Sequence, residues 1–418
     1  MINLTIDKSL AGTIYCGFNY HLKSIKMTYI SEHNNIEAES LQGQKVKKNA
    51  RIIGKTLEIK HISGDRWDEV ISSFDGACQE QLYVFSKNRW PNVALEPVLF
   101  FNNGEITGGA LVLVQALPLK LGHIAILKWG PLLKDHGADD KDEIYAACVE
   151  ALLEEYDKKR KMMVSILPRA SHAKNNAEFE YLMKRGFNKG SQLKFPNRYF
   201  VNLRQNDEEI RKSFAQKWRY HLNKSMKADL HFEHAKPERI DEFKSLYEQM
   251  NDRKKFADHS AYEDTIDELM AIKDKSLRPE LFFVREGAKI VAGAIIFKAG
   301  ETAVYLYGAT SHEALKLRAG YFIHYQIIRW LRDNNSAKYY DLGGTDGFQG
   351  LHQFKKGMVG SAGVIAPVPA VANYASHTLP LIMGSLAFFA RDRLLNFKHY
   401  ISGFLSNLAK PDQKREER

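Results

Sequence analysis

The sequence predicts an α/β (α+β) protein of two tandem domains with mixed sheets, followed by an amphipathic helical tail. Three observations predict it. Short β-rich runs joined by glycine turns occur twice. Each set is followed by a helical stretch and one more apolar strand. The last segment carries apolar residues at helical spacing.

In the first half, EPVLFFNNGEITGGALVLVQ reads as strand, glycine turn, strand, and HIAILKWGPLL as a further strand. A helical stretch, Asp142 to Lys158, and an apolar strand, Met162 to Leu167, come next. In the second half, ELFFVREGAKIVAGAIIFKAGETAVYLYGAT reads as three strands joined by the turns REGA and KAGE. There Leu317, Tyr321, Tyr325, Ile328 and Leu331 mark a helix over Leu317 to Arg332, and Lys338 to Leu342 forms the closing strand. Gly109 and Gly293 stand at equivalent points, 184 residues apart, which is a domain-length period. Meander, helix, strand is the order of a GNAT-like N-acyltransferase core, present here twice.

Between the halves, Ile210, Phe214, Trp218 and Leu222 give residues Asp207 to Ala228 one apolar face, with Arg211, Lys212, Lys217, Arg219, Lys224 and Lys227 on the rest. Asp207, Glu208 and Glu209 suit the start of this helix electrostatically. Pro237 to Ser276 reads as polar and helical. In the tail, Leu394, Phe397, Ile401, Phe404 and Leu408 form a stripe beside Arg391, Arg393 and Lys398, fit either for an anionic membrane surface or for packing on the second domain. The expected division is residues 1–58 as a poorly defined extension (with Met27 as an alternative start), 59–200 and 201–370 as the two GNAT-like domains, and 371–418 as the tail.

At 44% hydrophobic and 26% charged residues, the composition suffices for globular cores. The net charge of +10 favours nucleic acid, anionic membrane or phosphorylated ligands, unless it is only solvated surface. Cys16, Cys78 and Cys148 are odd in number and far apart, which argues against a disulfide framework or zinc site and for a reducing compartment. Crossing a bilayer takes ~20 apolar residues; the best run, Leu379 to Ala390, is shorter and contains Pro380 and Gly384. The N-terminus does not read as a signal peptide. A cytoplasmic protein, either free or peripheral at the inner face of the cell membrane, is the expectation. HExxH, GxSxG, Walker-type and post-strand GxGxxG signatures are all missing, which lowers metalloprotease, serine hydrolase, NTPase and dinucleotide enzyme. No metal is implied.

The most informative stretch is YYDLGGTDGFQGLHQFKKGMVG, Tyr339 to Gly360. A strand ends in an acid, a glycine-rich loop follows, then an aromatic–lysine pair. Gly343, Gly344, Gly347 and Gly350 let backbone approach a ligand or adopt φ > 0, as they would in an ordinary turn-rich connection. His221, His324 and His352 read as isolated packing or surface histidines. Tyr305, Tyr307, Tyr321, Tyr325 and Trp330 read as core.

The order Y-x-D-x-G-G, short glycine loop, G-L-x-x-F-K-x-G resembles the Fem (FemABX) peptidoglycan aminoacyltransferases, in particular their shorter Gram-negative relatives. AGYFIHYQIIRWLRDNNSAKYYDLGG, KWRYHLNKSMKADL and LKWGPLL are similar to the same family, so the resemblance covers roughly residues 65–365. Met358 stands where the family usually has an aromatic, and no coiled-coil arm is inserted. The resemblance implies transfer of an aminoacyl group from aminoacyl-tRNA to an amine on the peptide of a peptidoglycan precursor, lipid-linked or nucleotide-linked, with no cofactor. Lys355 falls on the family's active-site lysine and Phe354 on its neighbour. Lys217 and Arg219, with Tyr220 beside them, fall in the region that faces precursor phosphates, and Gly344 and Gly347 line the loop.

The residues agree in kind. An aminoacyl ester is already activated, so an enzyme must align it, take a proton and stabilise the oxyanion. Lys355 supplies positive charge, and Asp341 or Asp346 a proton acceptor, although Asp341 also suits a loop-capping role. Two other readings stay open. A CoA-dependent N-acyltransferase would use a Q/R-x-x-G-x-G/A loop, of which KLRAGYFIHY keeps only Gly320. A non-catalytic basic module for RNA or membrane explains the charge but not the FK block.

Overall fold

The fold is taken from a computed structural model, which describes residues 57–254, 261–391 and 393. The extension up to residue 56 and the stripe Leu394 to Leu408 lie outside the described residues.

Seven strands come first: β1 (Glu58–His61), β2 (Ala94–Asn102), β3 (Glu105–Ala116), β4 (His123–Lys128), β5 (Leu132–Leu133), β6 (Met163–Leu167) and β7 (Asn188–Lys189). Seven more follow: β8 (Asn197–Asn202), β9 (Leu230–Ala235), β10 (Glu280–Glu286), β11 (Lys289–Phe297), β12 (Thr302–Thr310), β13 (Tyr339–Asp341) and β14 (Val364–Pro367). β15 (Ala372–Tyr374) is last. The first sheet has the order β1-β2-β3-β4-β6-β15-β7, with β5 on β3. The second has the order β14-β8-β13-β12-β11-β10-β9. Both are mixed: β4 runs parallel to β6, and β12 parallel to β13. The chain is therefore tandem and GNAT-like, each half an antiparallel meander with a parallel strand alongside. The sheets do not divide at one point of the chain. β15 inserts between β6 and β7 although it follows the whole second sheet.

The internal repeat is geometric. Gly109 pairs with Leu99, and Gly293 with Phe283. The β2–β3 register shifts at Phe100/Phe101, and the β10–β11 register shifts at the equivalent Val284/Arg285. An aromatic side chain from a helix covers each glycine: Trp67 of α1 (Gly64–Ile71) covers Gly109, and Phe243 of a helix in the second half covers Gly293. A Cβ on Gly109 would meet the Trp67 ring at 2.6 Å and Val98 O at 2.8 Å. At Gly293 it would meet Phe243 at 2.9 Å. Overpacking of this kind typically costs about 1–3 kcal/mol. Gly109→Ala, pressed by backbone as well as ring, should therefore lower the urea midpoint more than Gly293→Ala. Equal midpoints for both variants and the parent would show that the aromatics yield freely.

Two elements depart from expectation. HIAILKWGPLL is not one strand. It breaks into β4 and β5 at Trp129–Pro131, where Trp129 has φ 57° and Pro131 has no N–H to give a ladder. The basic segment is two helices, not one. We label the first half's long helix α2 (Lys141–Leu152), then α3 (Asp207–Ser213) and α4 (Gln216–Ser225). Phe214 and Ala215 between α3 and α4 are extended, with ψ 146° and 147°. Asn206 and Glu209 form a reciprocal cap at the start of α3, each side chain bonded to the other's backbone N–H.

The halves share a core. Trp67, Phe74, Phe85 and Leu111 pack in one cluster with Leu269, Leu277, Phe297 and Val304. Glu301 N donates to Asp75 O at 3.0 Å, and His136 Nδ1 lies 2.6 Å from Glu301 Oε1. In the second half, α5 (Ala319–Asn334) and α6 (Gln349–Val359) pack beside the sheet. A last helix, α7, covers residues 378–391. It packs on the first sheet, through Leu381, Ala387 and Phe388 against Leu117, Ile124 and Met163.

Candidate active site

β13 is short and ends on Asp341, held between β12 and β8. Asp341 pairs in register with Phe200, which places Arg198 of β8 within reach. Arg198 Nε and Nη2 donate to Asp341 Oδ2 at 3.0 and 2.7 Å. Asp341 Oδ1 accepts from Gly343 N at 2.8 Å. One buried carboxylate thus ties the strand end to the loop and to the neighbouring strand, and both its oxygens are in use.

The loop then turns through left-handed conformations at Gly343 (φ 76°), Asp346 (φ 48°) and Gly347 (φ 83°). At Gly347 a Cβ would strike the Phe195 ring at 2.4 Å, so this position needs glycine on both counts. α6 starts directly afterwards and returns Lys355 to the loop. Lys355 is only 6% exposed, which rules out the surface-lysine reading. Its Nζ donates to Gly344 O at 2.5 Å. Burial pushes the Lys355 amine down to about 8, helped by the nearby Arg198 charge and opposed by Asp341 and Asp346. Asp346 is exposed at the loop surface.

The FK block has a packing logic. Gly357 lies under Trp218 of α4, where a Cβ would sit 3.1 Å from the ring. Ala215 N donates to Gly357 O at 2.9 Å. The glycine therefore docks the basic helix on the lysine helix. Phe354 completes the contact, its ring 4.9 Å from Tyr321 and 6.1 Å from Trp218. Met358 is fully buried.

On α4, Lys217 and Tyr220 are exposed. Arg219 Nη1 donates to Lys212 O at 2.7 Å and Phe214 O at 2.6 Å, closing the end of α3. That guanidinium nitrogen is committed to the break between the two helices. The structure thus brings Lys355, Asp341 and Gly344 together, while Phe354 packs toward Tyr321 and Trp218. It sets Asp346 and Gly347 on the exposed rim, and Lys217, Arg219 and Tyr220 on the adjoining helix.

Sequence reasoning missed Arg198 and Tyr199, and read His352 as isolated where the structure gives it a partner. Tyr199 OH lies 2.5 Å from His352 Nδ1, and burial raises the Tyr199 phenol. His352 precedes Lys355 by three residues on a helix, so the shared face was available from spacing. Arg198 carried no such signal, because its partner is 143 residues away. His324 is a packing histidine: it contacts Tyr340 OH at 3.1 Å, and burial lowers it to about 3, with the Lys355 charge adding to this. The N-terminus of α5 holds Arg318 (φ 57°) and Gly320, with nothing within 4 Å of a Cβ on that glycine. Among the described residues, no group of three or more His, Cys, Asp or Glu is placed to hold a metal. No helix there is long and apolar enough to cross a membrane.

The FemAB family model matches residues 92–269, and an acetyltransferase (GNAT) domain model matches residues 210–356. No curated protein matches. Among solved structures, the crystal structure of FemX is 18% identical and has a TM-score of 0.62, covering 76% of this chain and 97% of its own. The C-terminal domain of a putative lysylphosphatidylglycerol synthetase from Agrobacterium fabrum is 13% identical with a TM-score of 0.50, covering 78% of this chain and 96% of its own. At these identities the likeness is one of fold.

Proposed function

We propose that this chain, a Fem-type acyltransferase on two GNAT-like folds, moves an aminoacyl group from charged tRNA to an amine on the peptide of a phosphorylated cell-wall precursor. The observation that carries the reading is Lys355, a buried cation donated into a glycine loop at the end of β13. The acceptor nitrogen bonds to the ester carbonyl carbon, and the oxyanion forms beside the Lys355 ammonium. The carbon–oxygen bond of the ester then breaks. The amine proton passes to the departing ribose hydroxyl oxygen through a carboxylate. Asp346 suits that task better than Asp341, whose oxygens already accept from Arg198 and Gly343. Lys217 and Arg219, with Tyr220 beside them, would face the precursor phosphates, and Gly344 and Gly347 the donor end. A lipid-linked acceptor would place the protein at the inner face of the membrane, and a nucleotide-linked one in the cytoplasm.

The competing donor is an acyl-CoA, favoured by the open start of α5 at Gly320. Transfer of label onto a precursor panel decides between them. Label should pass from charged tRNA and not from labelled acetyl-CoA. Transfer from acetyl-CoA alone would overturn the reading.

A further inference from the structure

We propose that the outer face of α7, with the β3–β4 loop beside it, docks this protein on an anionic lipid bilayer. The inference is independent of the acyl donor, and it uses neither the active-site residues nor the segment beyond residue 393.

From residue 378 to residue 390 the chain has no charged side chain. A helix lying on a soluble protein normally turns charged or polar residues outward. Here the inner face is already spent on the first sheet. Leu381, Ala387 and Phe388 share a cluster with Leu117, Ile124 and Met163. Gly384 sits so close that a Cβ would fall 2.4 Å from Met163 Cε. The helix is therefore seated in one orientation. Its other face carries Leu379, Ile382, Leu386 and Phe389, between 49% and 67% exposed, at spacings of three, four and three. All four keep this exposure although the Arg393 guanidinium lies over the Phe389 ring.

A second exposed apolar feature adjoins the first. The loop between β3 and β4 reads LPLKLG from Leu117 to Gly122. Leu117 anchors it in the same cluster as the inner face of α7. Leu119 is 89% exposed, and Leu121 45%. The loop and residues 378–391 carry only positive charge, and Asp392 precedes Arg393 in the sequence. Lys120 stands between the two leucines, and Arg393 lies over the Phe389 ring at 5.0 Å. No acid occurs in the loop or in residues 378–391. Apolar side chains flanked by cations match the boundary between acyl chains and anionic headgroups. A second copy of the chain fits less well, because a two-fold contact would lay the patch that carries Lys120 and Arg393 on a copy of itself.

Co-sedimentation of the full chain with vesicles tests this. Phosphatidylglycerol–phosphatidylcholine vesicles should retain the protein, pure phosphatidylcholine vesicles should retain less, and added salt should weaken binding. Leu386→Glu with Phe389→Glu, and separately Leu119→Asp, should each cut binding about tenfold or more, with the unfolding midpoint unchanged. Parent-like binding by these variants overturns the proposal. So does a parent chain that ignores anionic vesicles while the same substitutions lower its unfolding midpoint, since the stripe is then covered by its own chain. A dimer seen in light scattering and dissociated by the substitutions overturns it in favour of a second copy.

Discussion

Lys355→Ala should lower kcat and kcat/KM together, by about 10²–10³-fold, the usual cost of losing one oxyanion donor. Lys355→Arg should restore little. The site is closed around a single point charge bonded to Gly344 O, and a planar fork is wider and shaped differently. The pH profile identifies the form that works. With the amine held near 8, the cation is present below that value. A stabilising cation predicts turnover that falls as pH rises through about 8; a neutral amine acting as base predicts the reverse. Stability moves oppositely to turnover. The unfolded amine titrates near 10.5, so between about 8 and 10.5 the unfolded chain holds a proton that the folded one has released. Stability from this group therefore rises with pH across that window. The rise should vanish in Lys355→Ala. Near-normal turnover of Lys355→Ala with its active donor would remove the lysine from the chemistry.

Arg198→Met should strongly destabilise the second sheet, in which β8 pairs with β13. It leaves Asp341, almost fully buried, without its partner. Breaking such a pair from one side costs about 3–5 kcal/mol, because the remaining charge has lost its solvent and its counter-ion. The double variant Arg198→Met/Asp341→Leu should regain much of that loss in urea unfolding, since an apolar pair carries no stranded charge. It should stay inactive, because Gly343 N then has no acceptor and the loop that receives Lys355 is no longer tied to the strand end. If the single variant matches the parent in urea midpoint, the pair contributes nothing to the fold.

Much of this was legible in the residues. Alternating apolar runs and glycine turns gave both meanders, and the equivalence of Gly109 and Gly293 survives as matched pairing and matched bulges. The FK block pointed at a lysine that proves to be buried against its loop. The break between α3 and α4 was not legible. Ile210, Phe214, Trp218 and Leu222 keep a step of four through it, so the periodicity does not register the two extended residues. Long-range partners were equally silent. The bond from Arg198 to Asp341 and the contact of Tyr199 with His352 depend on β8 joining the second sheet, and no local preference encodes which sheet a strand will join. β15 went unseen for the same reason, being three residues long.

The insertion of β15 between β6 and β7 sets a timetable for synthesis. A nascent chain ordinarily completes its N-terminal domain before the next one emerges. Here β6 waits with one edge unpaired until Ala372–Tyr374 leaves the ribosome, by which time every strand of the second sheet has been made. The half that begins first therefore finishes last.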